Sequence, residues 1–131
     1  MTAAAPRVVV AGHGQFAEGL RTAVAQITGR EDAVVAVTNA GAAPEEIERR
    51  LETALTDAGL PLVFTDLPAG SCTTAARRLQ RRQPGLVVVV GANLAAVLEF
   101  LMGDATDPVA AATRAADRGR GALTTVLPPA T

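Results

Sequence analysis

The stretch "VVVAGHGQFAEGL", Val8 to Leu20, runs from an unbroken apolar segment through His13, the chain's one histidine, into a helix-like pattern. Apolar residues at every position, β-branched and closed by a glycine, are what a parallel strand buried on both faces requires; a strand covered on one face would alternate. A strand that turns directly into a helix opens a β-α-β unit. Two further runs have the same character, "LPLVFTD" from Leu60 to Asp66 and "GLVVVVG" from Gly85 to Gly91, and a weaker one is "AVVAVTN" from Ala33 to Asn39.

Segments with helical spacing separate these strands. In "PEEIERRLETALTDAG" the residues Ile47, Leu51, Ala54, Leu55 and Ala58 fall on one face, Pro44 occupies a permitted first-turn position, and Glu45 and Glu46 complement the helix dipole. The spacing predicts a first helix from about Gln15 to Thr28, stopped by Gly29, and a third from about Ser71 to Gln83, with Ser71 as N-cap and Pro84-Gly85 as the stop. The order implies an α/β fold: an open, mainly parallel sheet of order 2-1-3-4 with right-handed crossovers, flanked by helices. Two more helical stretches follow, "NLAAVLEFLMG" and "DPVAAATRAADRGRG". Ala122 to Leu127 then reads as a last strand, added antiparallel at a sheet edge or paired with another subunit.

Composition agrees. The 131 residues suit one domain, 49% of them are hydrophobic and only 2% aromatic, so the core is expected from Val, Leu, Ile and Ala. Net charge is −1 and all twelve basic residues are Arg, which gives no global pull toward nucleic acid or an anionic membrane. A single cysteine, Cys72, excludes an internal disulfide framework and fits a reducing cytoplasm. No stretch reaches the roughly 18 apolar residues of a membrane span, and the N-terminus lacks a signal-peptide pattern. A cytosolic domain is expected.

Ligands of an open parallel sheet gather at the carboxyl ends of its strands, where the strand order reverses. For order 2-1-3-4 that point lies between strands one and three. His13 follows the first and Asp66 closes the third, so two polar groups distant in sequence are expected to meet there. A carboxylate on one ring nitrogen fixes the imidazole tautomer, leaves the other nitrogen as an oriented nucleophile, and stabilises the cationic ring formed when an electrophile attaches. Backbone N–H groups at the helix starts, with the Ser71 hydroxyl, would serve phosphoryl oxygens. The chemistry read from this arrangement is reversible phosphohistidine formation, needing neither metal nor organic cofactor.

Other readings compete. His13 and Asp66 are each open to a plain structural role in a loop or turn, and an N-cap explains Ser71 without a substrate. Gly12, Gly14 and Ala17 satisfy the G-x-G-x-x-A pattern of a dinucleotide site, yet the next strand ends at Asn39 where an acidic ribose ligand is wanted. Cys72 with His13 and Asp66 suggests a Cys-His-Asp hydrolase, although a small buried hydrophobe explains the cysteine more simply. The run "RRLQRR", Arg77 to Arg82, reads as the solvated face of the third helix. Phe16 fits either core or a docking surface.

Four segments together resemble the IIA domain of the mannose class of bacterial sugar phosphotransferase systems: "VVVAGHGQFAEGL", "LVFTDLPAGSCTTAARRL", "VVVVGANLAAVLEFLM" and "AADRGRGAL". The resemblance implies that His13 is phosphorylated on Nε2, that Asp66 orients and stabilises the imidazole, and that Ser71 lies near the phosphoryl oxygens. It implies a homodimer exchanging the C-terminal strand, here Ala122 to Leu127. The phosphocarrier protein HPr would be the donor and a IIB component the acceptor, with membrane IIC and IID components downstream. An end at Thr131 is similar to a free-standing IIA rather than a IIAB fusion. The segment "PAGSC" departs from the family's pattern at Ala69 and Cys72, which touches loop shape and docking more than the histidine chemistry. A related fold in phosphoenolpyruvate-dependent dihydroxyacetone kinases is the nearest alternative, and "DLPAGS" looks closer to the transport branch.

Overall fold

The computed structural model describes residues 5–130. Its elements are β1 (Val8–Gly12), α1 (Phe16–Thr28), β2 (Val34–Thr38), α2 (Pro44–Ala58), β3 (Leu62–Thr65), α3 (Ser71–Arg82), β4 (Val87–Val89), α4 (Leu94–Met102) and α5 (Pro108–Ala122). The four strands form one sheet of order β2-β1-β3-β4, parallel throughout, as the sequence implies. In register, Ala11 stands beside Val37 on one side and Thr65 on the other.

The period-2 alternation of the strands sorts side chains onto two faces. Val8, Val10, Leu62 and Phe64 join α1, α4 and α5 in one buried layer, while Val9, Ala11 and Val63 join Ile47, Leu51 and Leu55 of α2 and Cys72, Ala76 and Leu79 of α3 in the other. The chain passes from β1 to β2 in one direction and returns across β1 to β3 in the other. Crossovers of one hand must therefore lie on opposite faces, which is why α1 and α2 do. Phe64 and Phe100 meet edge-to-face at 6.0 Å, joining sheet and α4 in an aromatic contact worth about 1 kcal/mol beyond area burial.

Two local expectations are corrected, and a third is not met within a single chain. The N-cap of α3 is Gly70, not Ser71, and Ser71 is the first helical residue, its hydroxyl engaged elsewhere. The strand expected over Gly85 to Gly91 pairs only at Val87–Val89, because β4 has a neighbour on one side alone. The last strand expected from Ala122 to Leu127 is absent from this single chain: Ala122 closes α5 and residues 123–130 form no regular element. A strand needs a neighbour for its backbone N–H and C=O groups, and this segment has none within the chain; Leu123, Val126 and Leu127 are all exposed.

The turn between β4 and α4 is closed by Asn93. Its Oδ1 accepts the Ala96 N–H at 2.9 Å as N-cap of α4, and its Nδ2 donates to the Gly119 carbonyl of α5 at 2.9 Å. One side chain thus joins two helices. Asn93→Ala removes the cap and leaves a half-buried carbonyl unpaired, and is expected to lower unfolding free energy by about 2–3 kcal/mol. The midpoint of urea denaturation, with unchanged slope, checks this.

Candidate functional site

The carboxyl ends of β1 and β3 are adjacent, and each strand delivers its next polar residue to the same place. His13 leaves β1 and Asp66 leaves β3, separated by 53 positions in sequence. Asp66 Oδ2 accepts two hydrogen bonds from His13, from the backbone N–H at 2.9 Å and from ring Nδ1 at 2.7 Å. A carboxylate only accepts, so Nδ1 carries the proton and the neutral ring keeps its lone pair on Nε2.

Burial divides the two residues. The Asp66 side chain is 9% exposed and that of His13 is 52% exposed. Burial by itself pushes the Asp66 carboxyl upward, but the two hydrogen bonds from His13, joined by the ring's charge whenever the imidazole is protonated, outweigh it and hold the group below its ordinary value. Asp66 is therefore ionised throughout the neutral range. Its other oxygen, Oδ1, is buried and accepts no hydrogen bond among the described residues, so the carboxylate is directed at His13 alone.

Two glycines make this close approach possible. A Cβ on Gly12 would stand 2.8 Å from the Phe16 ring and 3.0 Å from Asp66 Oδ2, so any larger residue displaces the carboxylate. Gly70, at φ 153°, adopts a backbone that L residues rarely take, and a Cβ there would come within 3.3 Å of His13 Cε1. The start of α3 thus lies against the imidazole. No side chain caps that helix start, and its first-turn N–H groups point toward this end of the sheet.

Neighbouring hydroxyls and amides complete the site. Ser71 Oγ accepts from Asn39 Nδ2 at 2.7 Å. Thr73 donates to the Leu67 carbonyl at 2.5 Å and accepts from the Thr65 hydroxyl at 2.7 Å, which pins the corner following Asp66 to α3. Sequence reading does not single out Asn39, Thr65 or Thr73 as site residues. Asn39 carries a usable signal, its position at the end of a strand flanking β1; the threonines carry none.

Cys72 behaves differently from a nucleophile. It is fully buried, and its thiol is pushed up to about 11, chiefly by burial, with the Asp66 charge adding and Arg50 opposing. Little thiolate exists at neutral pH, and no substrate reaches it, which removes the hydrolase reading. The dinucleotide reading fares no better, since Asn39 is committed to Ser71 and the space over Gly12 is filled by Phe16 and Asp66. A concavity of about 680 Å³ runs along β2 and α2 from Val35 to Ala40, but none of His13, Asp66 or Ser71 lines it. His13 lies on an open rim instead. Among the described residues no cluster of His, Cys, Asp and Glu is arranged to hold a metal, and no helix is long and apolar enough to cross a membrane.

Residues 7–116 match the EIIA-man family, described as the PTS system fructose IIA component, and the chain belongs to that family: it is a mannose-class IIA component of the phosphotransferase system. The mannose/sorbose specific IIA subunit of the phosphotransferase system from Enterococcus faecalis is 29% identical, with a TM-score of 0.81 over 98% of this chain and 100% of its own. The fold is shared with the PTS IIA protein associated with the fucose utilization operon of Streptococcus pneumoniae, 22% identical, TM-score 0.76, over 95% of this chain and 96% of that one. It is shared too with the phosphotransferase system component EIIA of Streptococcus agalactiae, 19% identical, TM-score 0.78, over 91% and 95%. No curated protein sequence matches the chain.

The buried thiol yields a direct check. Cys72 is expected to react with an aromatic disulfide reagent at least about a hundredfold more slowly in the native protein than in urea, and Cys72→Ser to leave any His13 chemistry in place. Fast native labelling would contradict the burial described.

Proposed function

We propose that His13 is the phosphoryl acceptor of a cytoplasmic phosphocarrier formed by the whole chain, taking the group from phospho-HPr and passing it to a IIB component of a sugar transport system. The observation that carries this reading is the Nδ1 contact with Asp66 at 2.7 Å, which turns the Nε2 lone pair outward from a half-exposed ring. As Nε2 attacks, a new N–P bond forms while the donor's P–N bond breaks and its electron pair returns to the donor nitrogen. No proton has to move: Nδ1–H stays on Asp66, whose charge stabilises the cationic ring. Ser71 and the first-turn N–H groups of α3 supply donors to the phosphoryl oxygens. An open rim rather than an enclosed pocket suits a reaction in which each partner is another protein's side chain.

Incubation with phosphoenolpyruvate, enzyme I and HPr, followed by intact-mass analysis under conditions that preserve acid-labile phosphohistidine, tests the assignment. Wild type is expected to gain one phosphoryl group and His13→Ala none. Asp66→Asn, which disturbs the tautomer and removes the charge, is expected to slow transfer on the order of a hundredfold or more. Absence of any gain in wild type with a phosphorylated donor would overturn the reading.

The same reading includes a homodimer that exchanges its C-terminal segment. Support comes from the exposure of Leu123, Val126 and Leu127, at 82%, 91% and 76%, and from an outer edge of β4 that is unpaired and is followed by the exposed Val90. A chain ending at Gly121 is expected to run as a monomer in light scattering while the full chain runs as a dimer. A dimer surviving the truncation would refute the exchange.

A further inference from the structure

We propose that Asn39 is a positioning residue of the transfer site, acting through Ser71 to set the direction in which that hydroxyl donates. The proposal rests on the reading of His13 as phosphoryl acceptor. Asn39 directly follows β2 and Ser71 opens α3 after β3, and β1 lies between those strands. The 2.7 Å bond from Asn39 Nδ2 to Ser71 Oγ therefore passes over the end of β1, where His13 emerges.

A serine hydroxyl has one hydrogen and can also accept. Accepting from Asn39 commits its oxygen on that side and leaves the hydrogen to point elsewhere. Phosphoryl oxygens only accept, so a serine held in this way meets them as a donor without reorienting. Ser71 follows Gly70, where an added Cβ would stand 3.3 Å from His13 Cε1, the ring carbon between the two nitrogens. The hydroxyl set by Asn39 is thus on the helix end that flanks the ring.

Asn39 is itself held firmly. Its N–H donates to the Gly12 carbonyl at 3.2 Å, immediately before His13, and its carbonyl accepts from the Ala42 N–H at 3.2 Å. Arg50 Nη1 donates to the carbonyls on either side, of Thr38 at 2.6 Å and Ala40 at 3.1 Å. One residue accordingly ties the end of β1 through its backbone to the start of α3 through its side chain.

The test is a double-mutant cycle on the rate of His13 phosphorylation by phospho-HPr, in wild type, Asn39→Ala, Ser71→Ala and the double variant. Each single substitution is expected to lower kcat roughly three- to tenfold with KM for phospho-HPr unchanged, and the double to be no slower than Ser71→Ala. Asn39→Asp keeps the shape but lacks the N–H donor, and is expected to be at least as slow as Asn39→Ala. Multiplying effects in the double variant, or a wild-type rate in either Asn39 variant, would overturn the proposal while leaving the phosphocarrier reading intact. Failure of wild type to be phosphorylated would overturn both.

Discussion

Side-by-side pairing of β1 with β3, Ala11 opposite Thr65, is the constraint on which the site depends. It places the residues that leave these strands next to each other, and the two hydrogen bonds into Asp66 Oδ2 follow from that register. Slipping the register by one residue would send each side chain of β1 to the opposite face and exchange the layers that now pack against α1 and α2. The core therefore enforces the register, and the register builds the site. Stability and chemistry share one determinant, the apolar runs of the two central strands.

Electrostatics at this point is a balance of opposing effects. A carboxylate at 9% exposure is held ionised by the ring and backbone N–H groups of one residue, and no other donor among the described residues competes for it. Such a carboxylate adds little to folding, since its desolvation offsets much of what the contact contributes. It suits a ring that gains positive charge in the proposed phosphoryl transfer. Gly12 and Gly70 belong to the same design, because they give the carboxylate and the imidazole the space to meet.

The fold leaves unsatisfied surface in two places, and they differ in character. At the carboxyl rim the half-exposed imidazole of His13 lies beside the uncapped start of α3. Past α5, Leu123, Val126 and Leu127 extend as apolar residues with nothing in the chain to cover them, while β4 presents an unpaired edge. A segment of this kind takes on structure only against a second surface.

Strand order and the meeting of His13 with Asp66 were legible in the sequence, because unbroken β-branched runs mark buried parallel strands and the switch-point rule locates their shared end. The helix from Pro44 was legible for a similar reason: its apolar spacing, first-turn carboxylates and closing glycine are local signals. Ser71 reads as an N-cap from sequence because capping preference is local, while its actual partner, Asn39, is 32 positions away and reaches it only through the sheet. The terminal segment has the composition of a strand, but pairing is a property of two segments, and the single chain offers no second one. Sequence by itself determined which segments are buried and which turn; only the tertiary structure decided which side chains meet, because hydrogen bonds between distant residues depend on register and packing that no local pattern encodes.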